Sequence, residues 1–98
     1  MKKILLVCNA GMSTSILVEK MKKVAQQREL DVKIWALSNS EAATLDEEVD
    51  CVLIGPQLKF ALNQVESNFP GKPVAVIDMR VYGTINGEKA LNQALELM

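Results

Sequence analysis

Apolar and polar positions alternate along this chain in two periods. Lys3 to Val7 is an almost continuous apolar run, which suits a strand covered on both faces. From about Ser13 to Glu29 the apolar residues Leu17, Met21, Val24 and Ala25 recur at helical spacing. Val32, Ile34 and Ala36 then alternate with Lys33, Trp35 and Leu37, the pattern of a half-exposed strand. Ser38 with Glu41 three residues on reads as a capping box opening a short helix. Cys51 to Ile54 is a third strand, apolar throughout, and stops at the turn signal Gly55-Pro56. Leu58, Ala61, Leu62 and Val65 form the face of a third helix, ended by Phe69-Pro70-Gly71. Val74 to Ile77 is a fourth strand. Ala90, Leu91, Ala94 and Leu95 line one face of a closing helix over Asn86 to Leu97.

Strands that alternate with helices predict an α/β fold, a single open four-stranded parallel sheet with helices on both faces. The continuously apolar first and third strands belong at the centre and the alternating second strand at an edge. Right-handed crossovers then favour the order 2-1-3-4. Ligands in such sheets bind beyond the carboxyl ends of the strands, at the switch point between strands one and three.

Length and composition narrow the picture. The 98 residues read as a single domain, 1–98, long enough to bury a core without a metal or disulfide. A net charge of −1 argues against a nucleic-acid footprint. The longest apolar run is far short of the ~20 residues of a membrane span, and no secretory signal is evident, so the expected location is the cytoplasm. Two cysteines, far from any C-x-x-C spacing, predict neither a metal site nor a structural disulfide. The absence of histidine removes the commonest general base, and with it a Cys-His dyad within the chain.

The candidate chemistry lies in "CNAGMSTS", Cys8 to Ser15. Cys8 ends the first strand at the predicted ligand edge. A helix starting near Ser13 turns unpaired backbone N–H groups towards it and attracts anions. Gly11 allows a tight turn, and Ser13, Thr14 and Ser15 add hydroxyl donors. A thiol in that field is expected to ionise more readily. The loop suits a thiolate, or a phosphate carried on its sulfur. Cys51 reads as a small core hydrophobe. Met12, Met21, Met79 and Met98 read as core filler or exposed termini.

Two phosphate chemistries fit such a loop. Cysteine phosphatases of the low-molecular-weight class use C-x-x-x-x-x-R-[ST], but the sixth residue after Cys8 is Thr14. No guanidinium clamps the phosphoryl oxygens, and Asp78 precedes Met79 and Arg80 rather than a proline. A phosphoryl carrier needs the cradle without the hydrolytic equipment. A third reading is a redox-sensing domain, which leaves the abundance of anion donors unexplained.

At whole-chain level, the sequence resembles the enzyme IIB component of the bacterial phosphoenolpyruvate-dependent sugar phosphotransferase system, in the lactose/cellobiose/chitobiose class. The cysteine loop carries the resemblance. "LIGPQ" at Leu53 to Gln57 and "VIDMRVYG" at Val76 to Gly83 support it. The resemblance implies that Cys8 is phosphorylated by a histidine of enzyme IIA and passes the group to the 6-hydroxyl of a sugar held by membrane enzyme IIC. It implies a phosphate cradle made by Asn9, Ala10, Gly11, Met12, Ser13, Thr14 and Ser15, mainly through backbone N–H groups. Tyr82, beyond strand four on the same sheet edge, is expected either to bring its hydroxyl to the phosphate or to pack as a rim residue with its hydroxyl in water. The resemblance further implies a monomer with no cofactor, meeting the inner face of the membrane through enzyme IIC. Arg80 and Asp78 acquire no role from it.

Overall fold

The computed structural model describes residues 1–8 and 12–98, with the side chains of Met12 and Ser13 outside the description. The expectations placed on Asn9, Ala10, Gly11 and those two side chains lie outside the described residues.

The first strand explains the architecture. In β1 (Lys2–Cys8) the residues Ile4 to Val7 are buried on both sides of the sheet. Ile4 and Leu6 join one hydrophobic cluster, and Leu5 and Val7 the other. β3 (Cys51–Ile54) divides the same way, with Cys51 and Leu53 on the first side and Val52 and Ile54 on the second. These strands pair in parallel at the centre, with β2 (Val32–Ser38) beside β1 and β4 (Val74–Val76) beside β3. The order is β2-β1-β3-β4, as predicted.

The first cluster is covered by α1 (Met12–Gln27), through Leu17, Val18, Met21 and Ala25, and by α5 (Gly87–Leu97), through Ala90, Leu91 and Ala94. The second is covered by α2 (Asn39–Ala43), a 3₁₀ turn at Pro56–Ala61, and α3 (Leu62–Asn68). Helices therefore lie on both faces.

Four details depart from the sequence reading. The segment from Leu58 to Val65 is not one helix. Leu58, at φ −109 and ψ 20, breaks it, yet Leu58, Ala61 and Val65 are all buried as their spacing required. β2 is an edge, but only Lys33 along it is exposed, because Trp35 and Leu37 pack on the second cluster. Met79 is neither core nor terminus: it is 68% exposed at the start of a further helix, α4 (Met79–Gly83). That helix was not expected. Five residues are too few to show a period. Asp78 accepts the backbone N–H groups of Arg80 at 2.8 Å and Val81 at 3.4 Å.

α1 ends in a Schellman motif. Leu30 N–H bonds to Ala25 O at 2.9 Å and Glu29 N–H to Gln26 O at 3.1 Å, with Glu29 left-handed at φ 56. Glycine adopts that conformation without a steric penalty. Glu29→Gly should therefore stabilise the chain by about 0.5–1 kcal/mol, net of the extra chain entropy of glycine. Urea denaturation would show a higher midpoint with an unchanged slope; a lower midpoint would contradict the strain.

Candidate phosphoryl-transfer site

Cys8 is the last residue of a central strand, and α1 begins four residues later. Four residues span at most about 14 Å, so the thiol and the start of α1 share one edge of the sheet. The first N–H groups of any α-helix lack intrahelical acceptors, and here they belong to Met12, Ser13, Thr14 and Ser15. A sixteen-residue helix adds its dipole, positive at that end. The described geometry thus brings Cys8 and the first turn of α1 together.

Neighbouring elements close around them. Gly55 N–H bonds to Val7 O at 2.9 Å and extends the β1–β3 ladder beside Cys8. A β-carbon on Gly55 would lie 3.6 Å from Cys8 Cβ and 3.7 Å from Tyr82 Cε2. Tyr82 therefore reaches the cysteine edge from α4. Its hydroxyl forms a 2.6 Å hydrogen bond with Thr14 Oγ1, tying α4 to the first turn of α1. Both residues are buried, Thr14 at 3% and Tyr82 at 9% exposure. Ser15 is exposed.

On the other flank, Ser38 stands opposite Cys8 in the β1–β2 register. Its hydroxyl accepts from Glu41 N–H at 3.2 Å, and its own N–H bonds to the Glu41 carboxylate at 3.0 Å. That backbone bond, followed by the hydroxyl, holds the exposed Glu41 carboxyl below its usual range. The predicted capping box thereby fixes the end of β2 beside the site. Gly55 was read only as a turn; its packing role had no signal in the sequence.

The second thiol is different. Cys51 is fully buried and pairs with Ile4, four residues back along β1 from Cys8. At roughly 3.3 Å per residue the thiols stand about 13 Å apart, too far for a disulfide. Burial first, and then the Asp50 charge, push the Cys51 thiol up to about 12. Among the described residues, no cluster of histidine, cysteine or acidic side chains could hold a metal, and no helix is long and apolar enough to cross a membrane.

Residues 3–93 match the family described as "PTS system, Lactose/Cellobiose specific IIB subunit". The chain belongs to this IIB family. The chain is 47% identical, over all of its own length and 97% of the relative's, to the oligo-beta-mannoside-specific EIIB component of Bacillus subtilis (strain 168). It is 40% identical to the galactose-specific EIIB component of Lactococcus lactis subsp. cremoris (strain MG1363), covering 99% of this chain and 96% of that protein. The solution structure of a cellobiose-specific IIB component from Borrelia burgdorferi superposes with a TM-score of 0.81 at 37% identity, covering 98% of this chain and 90% of that one. A lactose-specific IIB domain from Streptococcus pneumoniae shares the fold at a TM-score of 0.85 and 17% identity, with 98% and 96% covered. This IIB chain is therefore a phosphoryl-carrying component of a sugar phosphotransferase system, acting with other components of that system.

Proposed function

We propose that Cys8 is the residue that carries the phosphoryl group, taking it from a phosphohistidine of enzyme IIA and delivering it to a sugar held by membrane enzyme IIC. The observation that carries this reading is the place of Cys8, at the carboxyl end of a central strand and four residues before the start of α1. In the first step sulfur attacks phosphorus. The S–P bond forms as the P–N bond breaks, and the thiol proton ends on the departing imidazole. In the second, a sugar hydroxyl attacks, the O–P bond forms as S–P breaks, and the hydroxyl proton ends, net, on the returning thiol. The donor histidine comes from the partner because this chain has none.

The cradle in this reading is Asn9 to Ser15, chiefly its backbone N–H groups. Thr14, one of its residues, is hydrogen-bonded to Tyr82. Two hydroxyls carry two hydrogens; one is used within the pair, and the other can be donated to a phosphoryl oxygen. The same pair weighs against a phosphatase. A phosphatase clamp would place arginine at position 14, where this chain buries a threonine against Tyr82. The separation of the thiols weighs against an internal redox disulfide. The chain works in the cytoplasm, against the inner face of the membrane where enzyme IIC presents its sugar. The sugar is selected by enzyme IIC, which this chain only meets.

Purified chain mixed with phosphorylated enzyme IIA should gain one phosphate, located on Cys8 by mass spectrometry. The phosphoprotein should release inorganic phosphate slowly alone and transfer it rapidly when cognate membranes and sugar are added. Catalytic hydrolysis of small phosphate esters, with no transfer to sugar, would overturn this reading.

A further inference from the structure

Gly55 has φ −60 and ψ 143, extended backbone open to any residue, so conformation does not explain a glycine there. Space does. A β-carbon would lie 2.8 Å from Gln57 Oε1, closer than such carbons approach an oxygen, while its distances to Cys8 and Tyr82 are ordinary contacts. Although Gln57 is an exposed residue, the end of its side chain folds back over Gly55 instead of extending into water. The turn fixes the backbone on either side of Gln57, through Pro56 in the first turn of the 3₁₀ segment and Leu58 N–H on Gly55 O at 2.9 Å. The amide and the cysteine thus flank one vacant side-chain position, within reach of a group the size of a phosphoryl.

We infer that Gln57 is a catalytic residue of the phosphocysteine site, donating an amide N–H to a phosphoryl oxygen, and that Gly55 is the positioning residue that leaves room for it. This rests on the reading of Cys8 as the phosphorylated residue. Rotation about χ3 presents Nε2 in place of Oε1 without changing the shape of the side chain. A neutral donor suits a carrier. It stabilises charge on the phosphoryl oxygens as the group arrives and as it leaves, without the fixed cation that would hold it. Sulfur–phosphorus bond making and breaking are as given above, and Gln57 neither gains nor loses a proton.

Three variants test this, each followed by mass spectrometry, by transfer rate and by phosphorus NMR of the phosphoprotein. Gln57→Ala should still acquire phosphate on Cys8, because the nucleophile is untouched. Transfer should slow roughly tenfold, the loss of one charge-assisted hydrogen bond. The phosphate should also titrate at higher pH, since a donor to its more charged form is gone. Gly55→Ala should fold, because only the end of a flexible side chain must move, and should reproduce both changes by displacing Gln57. Gln57→Glu should slow transfer further by setting a carboxylate beside the phosphate. A Gln57→Ala phosphoprotein that titrates and transfers like the native one would overturn the inference. Native protein without phosphate on Cys8 would instead overturn the proposed function, and mass spectrometry separates the two.

Discussion

Cys8→Ser should leave a folded chain that accepts no phosphoryl group and transfers none. The side chain is nearly isosteric, and it lies, at 5% exposure, at the very end of the buried strand β1. The backbone bond from Gly55 to Val7 O and the Thr14–Tyr82 pair do not involve its sulfur. What changes is the nucleophile. A serine hydroxyl stays protonated at neutral pH unless a neighbouring base activates it. This chain has no histidine to do so. The check is mass spectrometry after exposure to phosphorylated enzyme IIA, beside a thermal unfolding curve. A folded Cys8→Ser protein that still passed phosphate to sugar would remove Cys8 from the reaction.

Cys51→Ser is the matching control and should do the opposite, keeping transfer while losing about 1–3 kcal/mol for a hydroxyl buried where the thiol was. Cys51 also gives the stability a pH dependence. The Cys51 thiol is raised from 9.0 to about 12 in the folded chain, so unfolding exposes a group that ionises more easily. Its contribution to stability is complete below pH 9 and is lost as the pH climbs from there towards 12. Cys51→Val should flatten that alkaline loss without altering transfer near neutral pH.

The strand order was legible because Ile4-Leu5-Leu6-Val7 and Cys51-Val52-Leu53-Ile54 are apolar on both faces, which only central strands require. Cys8 was legible because a reactive side chain stood where a parallel sheet binds ligands. The coupling of Thr14 to Tyr82 was not. Their hydroxyls meet across 68 positions of sequence, and the helix that carries Tyr82 is only five residues long. Thr14 reads in sequence as one more loop hydroxyl; its burial follows from a tertiary contact that no local pattern encodes. Gly55 and Gln57 were visible as a turn. The turn explains Pro56, but the empty space at 55 becomes meaningful only when β1 and α4 stand beside it.

Gly87 shows the same kind of hidden constraint where α5 meets α1, and its replacement should cost the most stability. It is the first residue of α5, capped by Asn86, whose side chain accepts Lys89 N–H at 3.1 Å. A β-carbon there would lie 2.6 Å from Lys20 Cβ, 2.7 Å from Lys20 backbone C and 2.8 Å from Met21 N. The obstacle is the backbone of α1, beside the fully buried Met21, and truncating one side chain does not remove it. Either α5 or α1 must shift, opening the contact that Leu17, Met21, Ala90, Leu91 and Ala94 share. Gly87→Ala should cost about 1–3 kcal/mol, the usual penalty for overpacking, and Gly87→Val more. In a chain of this size each kilocalorie lowers the melting temperature by about 4–8 °C. Gly83→Ala is the comparison. A β-carbon at Gly83 meets nothing within 4 Å, and it lies in α4, so alanine there should be neutral or stabilise by up to about 1 kcal/mol. Calorimetry of both variants decides the point: a Gly87→Ala protein melting at or above the native temperature would show that α1 and α5 are not packed backbone to backbone at Lys20.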